Sequence, residues 1–187
     1  YGLTECFAIT TSTPFEDALR KIKAVGQCLP TMEAKIMDDE GNEVPIGTIG
    51  EIVLKGVKVF KGYWKNPEAT RATIVDGWVH TGDIGKMDEE GFIYILDRKK
   101  DMINRGGEKI YSLEVENVIG DNPKVLEVAV VGVPDPVMGE VVKACVALKP
   151  GEKATEEEIK KLCAERLADY KVPKFVEFMK GLTRNPA

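Results

Sequence analysis

Features that mark several common protein classes are scarce or absent in this chain of 187 residues. No apolar run approaches the roughly 20 residues that a helix needs to span a bilayer, so we expect no membrane span. Acidic residues outnumber basic ones by 31 to 26, which excludes the broad basic face of a nonspecific nucleic-acid-binding protein. The single histidine, His80, has no serine, cysteine or second ligand beside it, so a structural role is favoured over a catalytic one.

Cysteine pairs, targeting signals and the familiar phosphate-binding motifs are missing too. The four cysteines contain no C-x-x-C pair, which indicates free thiols rather than a disulfide framework or a metal site. Neither G-x-x-x-x-G-K-[ST] nor G-x-G-x-x-G occurs. The chain begins Tyr1-Gly2-Leu3-Thr4-Glu5, without a signal peptide or an initiator methionine. We therefore expect a piece of a longer, cytoplasmic protein.

The first half of the chain is predicted to be mostly β. Short apolar stretches between glycine-rich turns predict strands at 31–37, 51–54, 57–60, 78–80, 84–87 and 92–96. One helix interrupts them, because Asn66-Pro67-Glu68 combines an N-cap, a first-turn proline and a favourable negative charge. This helix should end near Thr73.

The second half is predicted to be mixed. A helix capped by Ser112 should cover 113–119, and Thr155 with Glu158 forms a capping box that begins a second helix. Valine-rich strands are expected at 125–133 and 141–148, joined by a loop too long for a tight turn, and a last strand at 174–179. We place the domain boundary in the charged run that begins at Asp97, which divides the chain into residues 1–96 and 97–187.

Three polar clusters carry the candidate chemistry. In the first, Tyr1, Thr4 and Glu5 could stack on a base, donate to a phosphate and hold a magnesium ion; the alternative is a frayed terminus with a capping threonine. In the second, Asp83 follows a glycine at a strand end, where it could bind ribose hydroxyls; spacing alone favours the alternative, a turn aspartate bonded to its own backbone.

The third cluster combines the basic run Arg98-Lys99-Lys100 with Arg105-Gly106-Gly107 a few residues later. Adjacent glycines beside several cations would let the backbone approach a phosphorylated ligand closely. A solvated linker between domains is the alternative.

The clusters lie within a longer series of motifs that resembles the acyl-adenylate-forming family, which includes acyl-CoA synthetases, luciferases and peptide-synthetase adenylation domains. The resemblance covers nearly the whole chain. In order, the motifs are Tyr1-Gly2-Leu3-Thr4-Glu5, Gly50-Glu51-Ile52, Lys61-Gly62-Tyr63-Trp64, Gly77-Trp78-Val79-His80-Thr81-Gly82-Asp83, Asp97-Arg98-Lys99-Lys100-Asp101-Met102-Ile103, Gly106-Gly107-Glu108-Lys109-Ile110, Ser112-Leu113-Glu114-Val115-Glu116, Val133-Pro134-Asp135 with Gly139-Glu140, and Val172-Pro173-Lys174.

The resemblance implies a role for each candidate residue. Tyr1 would lie against adenine and Thr4 would donate to the α-phosphate of ATP. Glu5 would help to hold Mg²⁺, so Thr4 and Glu5 form the catalytic pair. Asp83 and Arg98 would bind the ribose hydroxyls of ATP or AMP. For the later steps, the resemblance assigns the hinge to Lys100 and the coenzyme A channel to Gly106 and Gly107; Arg105 is either a coenzyme A phosphate contact or a solvated cation.

The resemblance also implies an α+β fold: the distorted β-barrel portion of a large domain, followed by a small α+β lid with a three-stranded sheet and packed helices. The expected function is that of the C-terminal part of an ATP-dependent acyl-CoA synthetase acting on a small-molecule carboxylic acid. The alternatives are an aryl-CoA ligase, a luciferase-like or other member, and a non-catalytic interaction module with the lid fold.

Two departures from the family pattern predict that this chain alone is inactive. The family's phosphate loop would lie upstream of Tyr1, and the family's adenylation lysine would follow the run Arg184-Asn185-Pro186-Ala187. We further expect strand edges exposed by this truncation to pair with another copy, giving a homodimer.

Overall fold

The first unit of the fold ends at Lys99 and the second begins at Lys100. The computed structural model describes residues 1–182. The division of the chain into domains at residue 97 stays a prediction, and the departure expected at 184–187 lies outside the described residues.

An antiparallel sheet organises the first unit. Its strands pair in the order β5–β6–β8–β7, and β9 also pairs with β8, giving a curled half-barrel. Ile52, Val53 and Leu54 on the second of these strands are all fully buried, so both faces of the sheet are covered there. The strands in residues 1–99 are β1 (Gly2–Leu3), β2 (Ala8–Ile9), β3 (Thr11–Ser12), β4 (Gln27–Cys28), β5 (Met32–Met37), β6 (Gly50–Gly56), β7 (Ile74–Val75), β8 (Trp78–Met87) and β9 (Ile93–Arg98).

Short-range sequence signals predict the helix of this unit correctly and some of its strand ends incorrectly. Helix α1 (Pro67–Thr73) begins as predicted, because the side chain of Asn66 accepts a hydrogen bond from the Ala69 amide. The predicted strand at 57–60 is wrong. Strand β6 ends at Gly56, whose φ of +151° and contact with the Thr31 carbonyl leave no room for a side chain. The strands predicted at 78–80 and 84–87 are one continuous strand, β8.

A mixed sheet with helices forms the second unit, so the α+β class is confirmed. The predicted three-stranded sheet is wrong in number: residues 100–182 contain five strands, because the hairpin of β10 and β11 extends the edge. The order is β11–β10–β13–β12, with β14 parallel to β13. The elements are β10 (Ile103–Arg105), β11 (Glu108–Ile110), α2 (Ser112–Gly120), β12 (Val125–Asp135), β13 (Gly139–Leu148), α3 (Glu156–Arg166) and β14 (Phe175–Met179). Single 3₁₀ turns occur at Thr4–Cys6, Phe15–Asp17 and Asp169–Lys171.

Both helices of the second unit pack on its sheet. Val115 and Ile119 from α2 and Ile159 and Cys163 from α3 are fully buried in one apolar cluster with the valines of β12 and β13. The capping box of Thr155 is confirmed. Ser112 is not a cap: it is the first residue of α2, and Tyr111 occupies the N-cap without a side-chain cap bond.

The connection between β12 and β13 is tighter than predicted. Asp135 pairs with Gly139, so the ladder continues to the turn and leaves only residues 136–138 outside it. The proline and glycine of this stretch indicated a loop, but Pro134 pairs with Glu140 inside the ladder. A proline is tolerated in a strand where its missing N–H is not needed for pairing.

Candidate functional site

Strands β8 and β9 bring three of the predicted residues together. Asp83 and Arg98 are register partners in the antiparallel pair, and Arg98 Nε lies 3.9 Å from Asp83 Oδ1. The Tyr1 hydroxyl donates a hydrogen bond to Asp83 Oδ2. The side chain of Arg98 is 65% exposed while that of Asp83 is 18% exposed, so the guanidinium remains accessible beside a sheltered carboxylate.

A bulge in β8 just before Asp83 sets the direction of the Asp83 carboxylate. Gly82 has a φ of +72°, which only glycine adopts freely, and the Asp83 amide donates to Thr81 Oγ1 at 3.0 Å. That hydroxyl in turn donates to the Ile52 carbonyl at 2.7 Å, which ties the bulge to β6. The partners recorded for the carboxylate are therefore the side chains of Tyr1 and Arg98, and not the turn backbone of the alternative interpretation.

Burial and the neighbouring carboxylate both keep the Tyr1 hydroxyl protonated. Removal of the phenol from water raises the pKa of Tyr1, and the hydrogen bond to Asp83 raises it further. The hydroxyl is therefore a permanent donor at neutral pH. The predicted role of the Tyr1 ring beside adenine stays a prediction.

Glu51 supports this bulge, and sequence analysis did not assign it to the site. Its side chain is 9% exposed and accepts from the Gly82 amide at 3.0 Å. Lys99 Nζ lies 3.1 Å from its other oxygen and His80 Nδ1 lies 3.3 Å away. Burial alone raises the pKa of Glu51, but these partners reverse the effect and lower the pKa below its usual value.

A signal for Glu51 existed in the motif Gly50-Glu51-Ile52, where a carboxylate interrupts an apolar strand. Its burial could not be deduced, since the partners come from distant strands. His80 is held by this carboxylate, which agrees with the structural role predicted for it.

The second predicted group, Thr4 with Glu5, lies in the 3₁₀ turn Thr4–Cys6. The Tyr63 hydroxyl donates to Glu5 Oε1 at 2.6 Å, and the Phe60 amide donates to the Glu5 carbonyl at 2.8 Å. Thr4 is exposed and lies inside the turn, after the N-cap residue Leu3, so the alternative of a capping threonine is wrong.

Tyr63 is a second residue that sequence analysis did not assign to the site, although it belongs to a motif of the resemblance. Its ring packs edge-on against Phe60 with centroids 4.9 Å apart, which fixes the direction of its hydroxyl toward Glu5. The hydrogen bond to Glu5 raises the pKa of Tyr63. Glu5 is thereby held in one orientation.

The donor set around Glu5 is compatible with magnesium but not with a protein-only metal cage. Residues 1–182 contain no cluster of three or more metal-ligating side chains. Magnesium is usually held by one or two carboxylates, with substrate phosphates and water completing its shell, and one oriented carboxylate meets that need.

The remaining predicted residues belong to the second unit. Gly106 and Gly107 form the turn between β10 and β11 with φ angles of +61° and +97°, so both need glycine for conformational reasons. A side-chain carbon built on Gly107 would meet nothing within 4 Å. Lys100 is an exposed residue at the start of this unit.

Comparisons with known proteins match both units of the chain. A model of the AMP-binding enzyme family matches residues 1–64, and a model of the AMP-binding enzyme C-terminal domain matches residues 114–187. The chain belongs to the AMP-binding enzyme family. The resemblance predicted from the motif series is therefore confirmed.

Several members of this family are closely similar to the chain. A long-chain-fatty-acid–CoA ligase from Escherichia coli O6:H1 is 46% identical over 99% of this chain and 33% of the relative. ATP-bound MatB from Rhodopseudomonas palustris is 42% identical with a TM-score of 0.93, covering 100% of this chain and 37% of that one. MenE from Bacillus subtilis, in complex with ATP and magnesium, is 38% identical with a TM-score of 0.90, covering 99% and 38%.

The chain spans about a third of the length of the curated relatives that it matches. In the part of the chain that the structure describes, no helix is long and apolar enough to cross a membrane.

Proposed function

We propose that this chain is the C-terminal part of an ATP-dependent acyl-CoA synthetase that acts on a fatty or related carboxylic acid. In the first half-reaction the carboxylate attacks the α-phosphate of ATP, which forms an acyl-adenylate and releases pyrophosphate. In the second, the thiol of coenzyme A attacks the acyl carbon and displaces AMP. The observation that carries this proposal is the grouping of the Tyr1 hydroxyl with Asp83 on β8 and Arg98 on β9.

On this proposal, Asp83 and Arg98 bind the ribose of ATP. A carboxylate offers about four acceptor positions, so Asp83 can accept from ribose hydroxyls while it keeps the bond from Tyr1. The exposed guanidinium of Arg98 supplies donors from the facing strand. The ring of Tyr1 lies against adenine, and the exposed hydroxyl of Thr4 donates to the α-phosphate.

Glu5 is the residue that would hold magnesium, in the orientation set by Tyr63. When bound, the ion would stabilise negative charge on the departing pyrophosphate. Asp83, Arg98, Thr4 and Glu5 all lie in the first unit, which we propose to be the end of the large AMP-binding domain.

The second unit is proposed to be the lid that serves the thioester step. Gly106 and Gly107 line the path of the pantetheine chain, and the open space beside Gly107 leaves room for a ligand. Lys100 is proposed as the hinge, since it begins the second unit.

Replacing Lys100 with proline should therefore separate the two half-reactions. In the full-length parent enzyme, Lys100→Pro is expected to leave pyrophosphate exchange within about twofold of the parent rate. Thioester formation should fall at least tenfold, because proline restricts φ to one region and opposes the hinge rotation. Lys100→Ala serves as the control that removes the charge without the ring. Equal loss of both half-reactions in the proline variant would exclude the hinge role.

Carboxylate-dependent pyrophosphate exchange tests the proposal as a whole. The protein should be extended at both ends to the length of its relatives and offered fatty, short-chain and aryl acids. We expect exchange with fatty or related acids and none from the 187-residue chain alone. Preference for aryl acids would favour an aryl-CoA ligase. Absence of pyrophosphate exchange with every acid would favour the alternative of a non-catalytic interaction module with the lid fold.

A further inference from the structure

The double-glycine turn is attached to the second turn of the same sheet. The Gly106 amide donates to the Met138 carbonyl at 2.8 Å, and Met138 lies in the turn between β12 and β13. The Gly107 amide donates to Asn104 Oδ1 at 2.9 Å. Both glycine amides therefore donate to residues that are themselves held in place by other side chains.

The side chain of Asp135 holds the backbone of Met138 in place. Its Oδ1 accepts from the amides of Val137 and Met138, each at 3.0 Å, while Lys174 Nζ lies 2.6 Å from its Oδ2. Lys174 first of all, and then these two amides, hold the pKa of the Asp135 carboxyl well below its usual range. The carboxylate is thus ionised at neutral pH and fixes the peptide whose carbonyl receives the Gly106 amide.

The side chain of Glu140 holds the backbone of Asn104 in place. Its Oε2 accepts from the Asn104 amide at 2.8 Å, and the Asn104 side chain in turn receives the Gly107 amide. Gly132 on the adjacent strand makes room for this carboxylate, since a Cβ there would lie 3.1 Å from Glu140 Cδ. The absence of a side chain at Gly132 therefore provides the space in which the Glu140 carboxylate lies.

We propose that Asp135 and Glu140, at the two ends of the β12–β13 turn, are positioning residues that hold the Gly106–Gly107 backbone for the thiol step. This inference rests on the proposed function for its role in catalysis. Two adjacent glycines have more backbone freedom than any other pair, so an unsupported turn would sample many conformations. Two carboxylates acting through backbone amides restrict it while leaving the space beside Gly107 open.

Amide hydrogen exchange of the chain itself tests the geometry. Asp135→Ala is expected to accelerate exchange of the Gly106 amide at least tenfold, and Glu140→Ala that of the Gly107 amide. Amides inside the β12–β13 ladder should keep their protection. Glu140→Gln retains an acceptor oxygen and should restore slow exchange at Gly107. Glu177→Ala removes a carboxylate paired with Lys143 on the same sheet and should leave both glycine amides unchanged.

Gly132→Ala provides an independent variant, because the added methyl would lie 3.1 Å from Glu140 Cδ and push the carboxylate slightly without deleting it. It should accelerate exchange of the Gly107 amide in the same direction as Glu140→Ala, by a smaller factor. Unchanged glycine exchange in Asp135→Ala and Glu140→Ala, or a loss of ladder protection in Glu140→Ala that Glu140→Gln does not reverse, would overturn the proposal.

The catalytic consequence is tested in the extended parent enzyme. Glu140→Ala should raise the KM for coenzyme A or slow thioester formation at least tenfold, with pyrophosphate exchange within about twofold of the parent. Equal losses in both half-reactions would indicate a merely structural role and contradict the proposal. A parent without pyrophosphate exchange for any acid would remove the proposed function, whereas the amide-exchange experiment would still decide whether the carboxylates hold the turn.

Discussion

Replacing Asp83 with alanine should raise the KM for ATP of the extended parent enzyme on the order of 100-fold. The carboxylate is sheltered between Tyr1 and Arg98, so hydrogen bonds from two ribose hydroxyls would form there in partial isolation from water. Bonds to a charged group contribute roughly 1.5–3 kcal/mol each, and a combined loss of about 3 kcal/mol corresponds to roughly 100-fold. Steady-state kinetics with ATP varied at saturating acid gives this value.

The same variant should leave the KM for the carboxylic acid within about twofold, because Asp83 contacts nothing on that substrate under the proposal. Asp83→Asn is the matched control: it keeps an acceptor oxygen but removes the charge, so an intermediate effect is expected. An unchanged KM for ATP in Asp83→Ala would remove this residue from the ribose site. Equal increases for ATP and acid would show that the variant disturbs the fold and not one subsite.

Replacing Glu51 with alanine should lower the free energy of unfolding of the chain by about 2 kcal/mol at neutral pH. The substitution leaves the Gly82 amide, Lys99 and His80 without their shared acceptor. A buried donor without a partner costs about 1–3 kcal/mol. We discount the ion pair, since the Lys99 side chain is 44% exposed and solvent screens it. Urea denaturation followed by circular dichroism measures the change.

The charge and the hydrogen bond of Glu51 can be separated with Glu51→Gln, which keeps an oxygen for the Gly82 amide and should lose about half as much stability. The pKa of Glu51 is lower in the folded state than its usual value of 4.5. Its stabilising effect is therefore complete above that value and is lost as the pH falls through the lower folded pKa. Below pH 4.5, the stability of Glu51→Gln should fall less steeply than that of the parent chain; parallel curves would contradict the assigned role.

Helix starts and strands with short-range signals were predictable because their causes lie within a few residues. The caps at Asn66 and Thr155 act through bonds to amides three residues away, and both are present. Strand ends were less predictable. The segment 57–60 has apolar residues typical of a strand, but β6 stops at Gly56, where the Thr31 carbonyl approaches closely. That contact comes from the turn residue just before β5, which is distant in the chain, so no local pattern could indicate it.

The candidate site likewise combines features that the sequence predicts with contacts that only the tertiary structure forms. Asp83 and Arg98 could be paired in advance through the family resemblance, and strand register then places them opposite each other. The hydrogen bonds of Tyr1 with Asp83 and of Tyr63 with Glu5 span 82 and 58 positions, so their existence depends on how the strands assemble. Glu51 was missed for the same reason.

By itself, the sequence determined the family, the α+β class and the chemical character of each polar cluster, because residue types and short spacings carry that information. Only the tertiary structure decided which carboxylates are buried, which amides they accept from and which backbone turns they hold. Those properties depend on the desolvation and donor geometry that arise when strands distant in the chain pack together, and they determine how strongly each charged group acts.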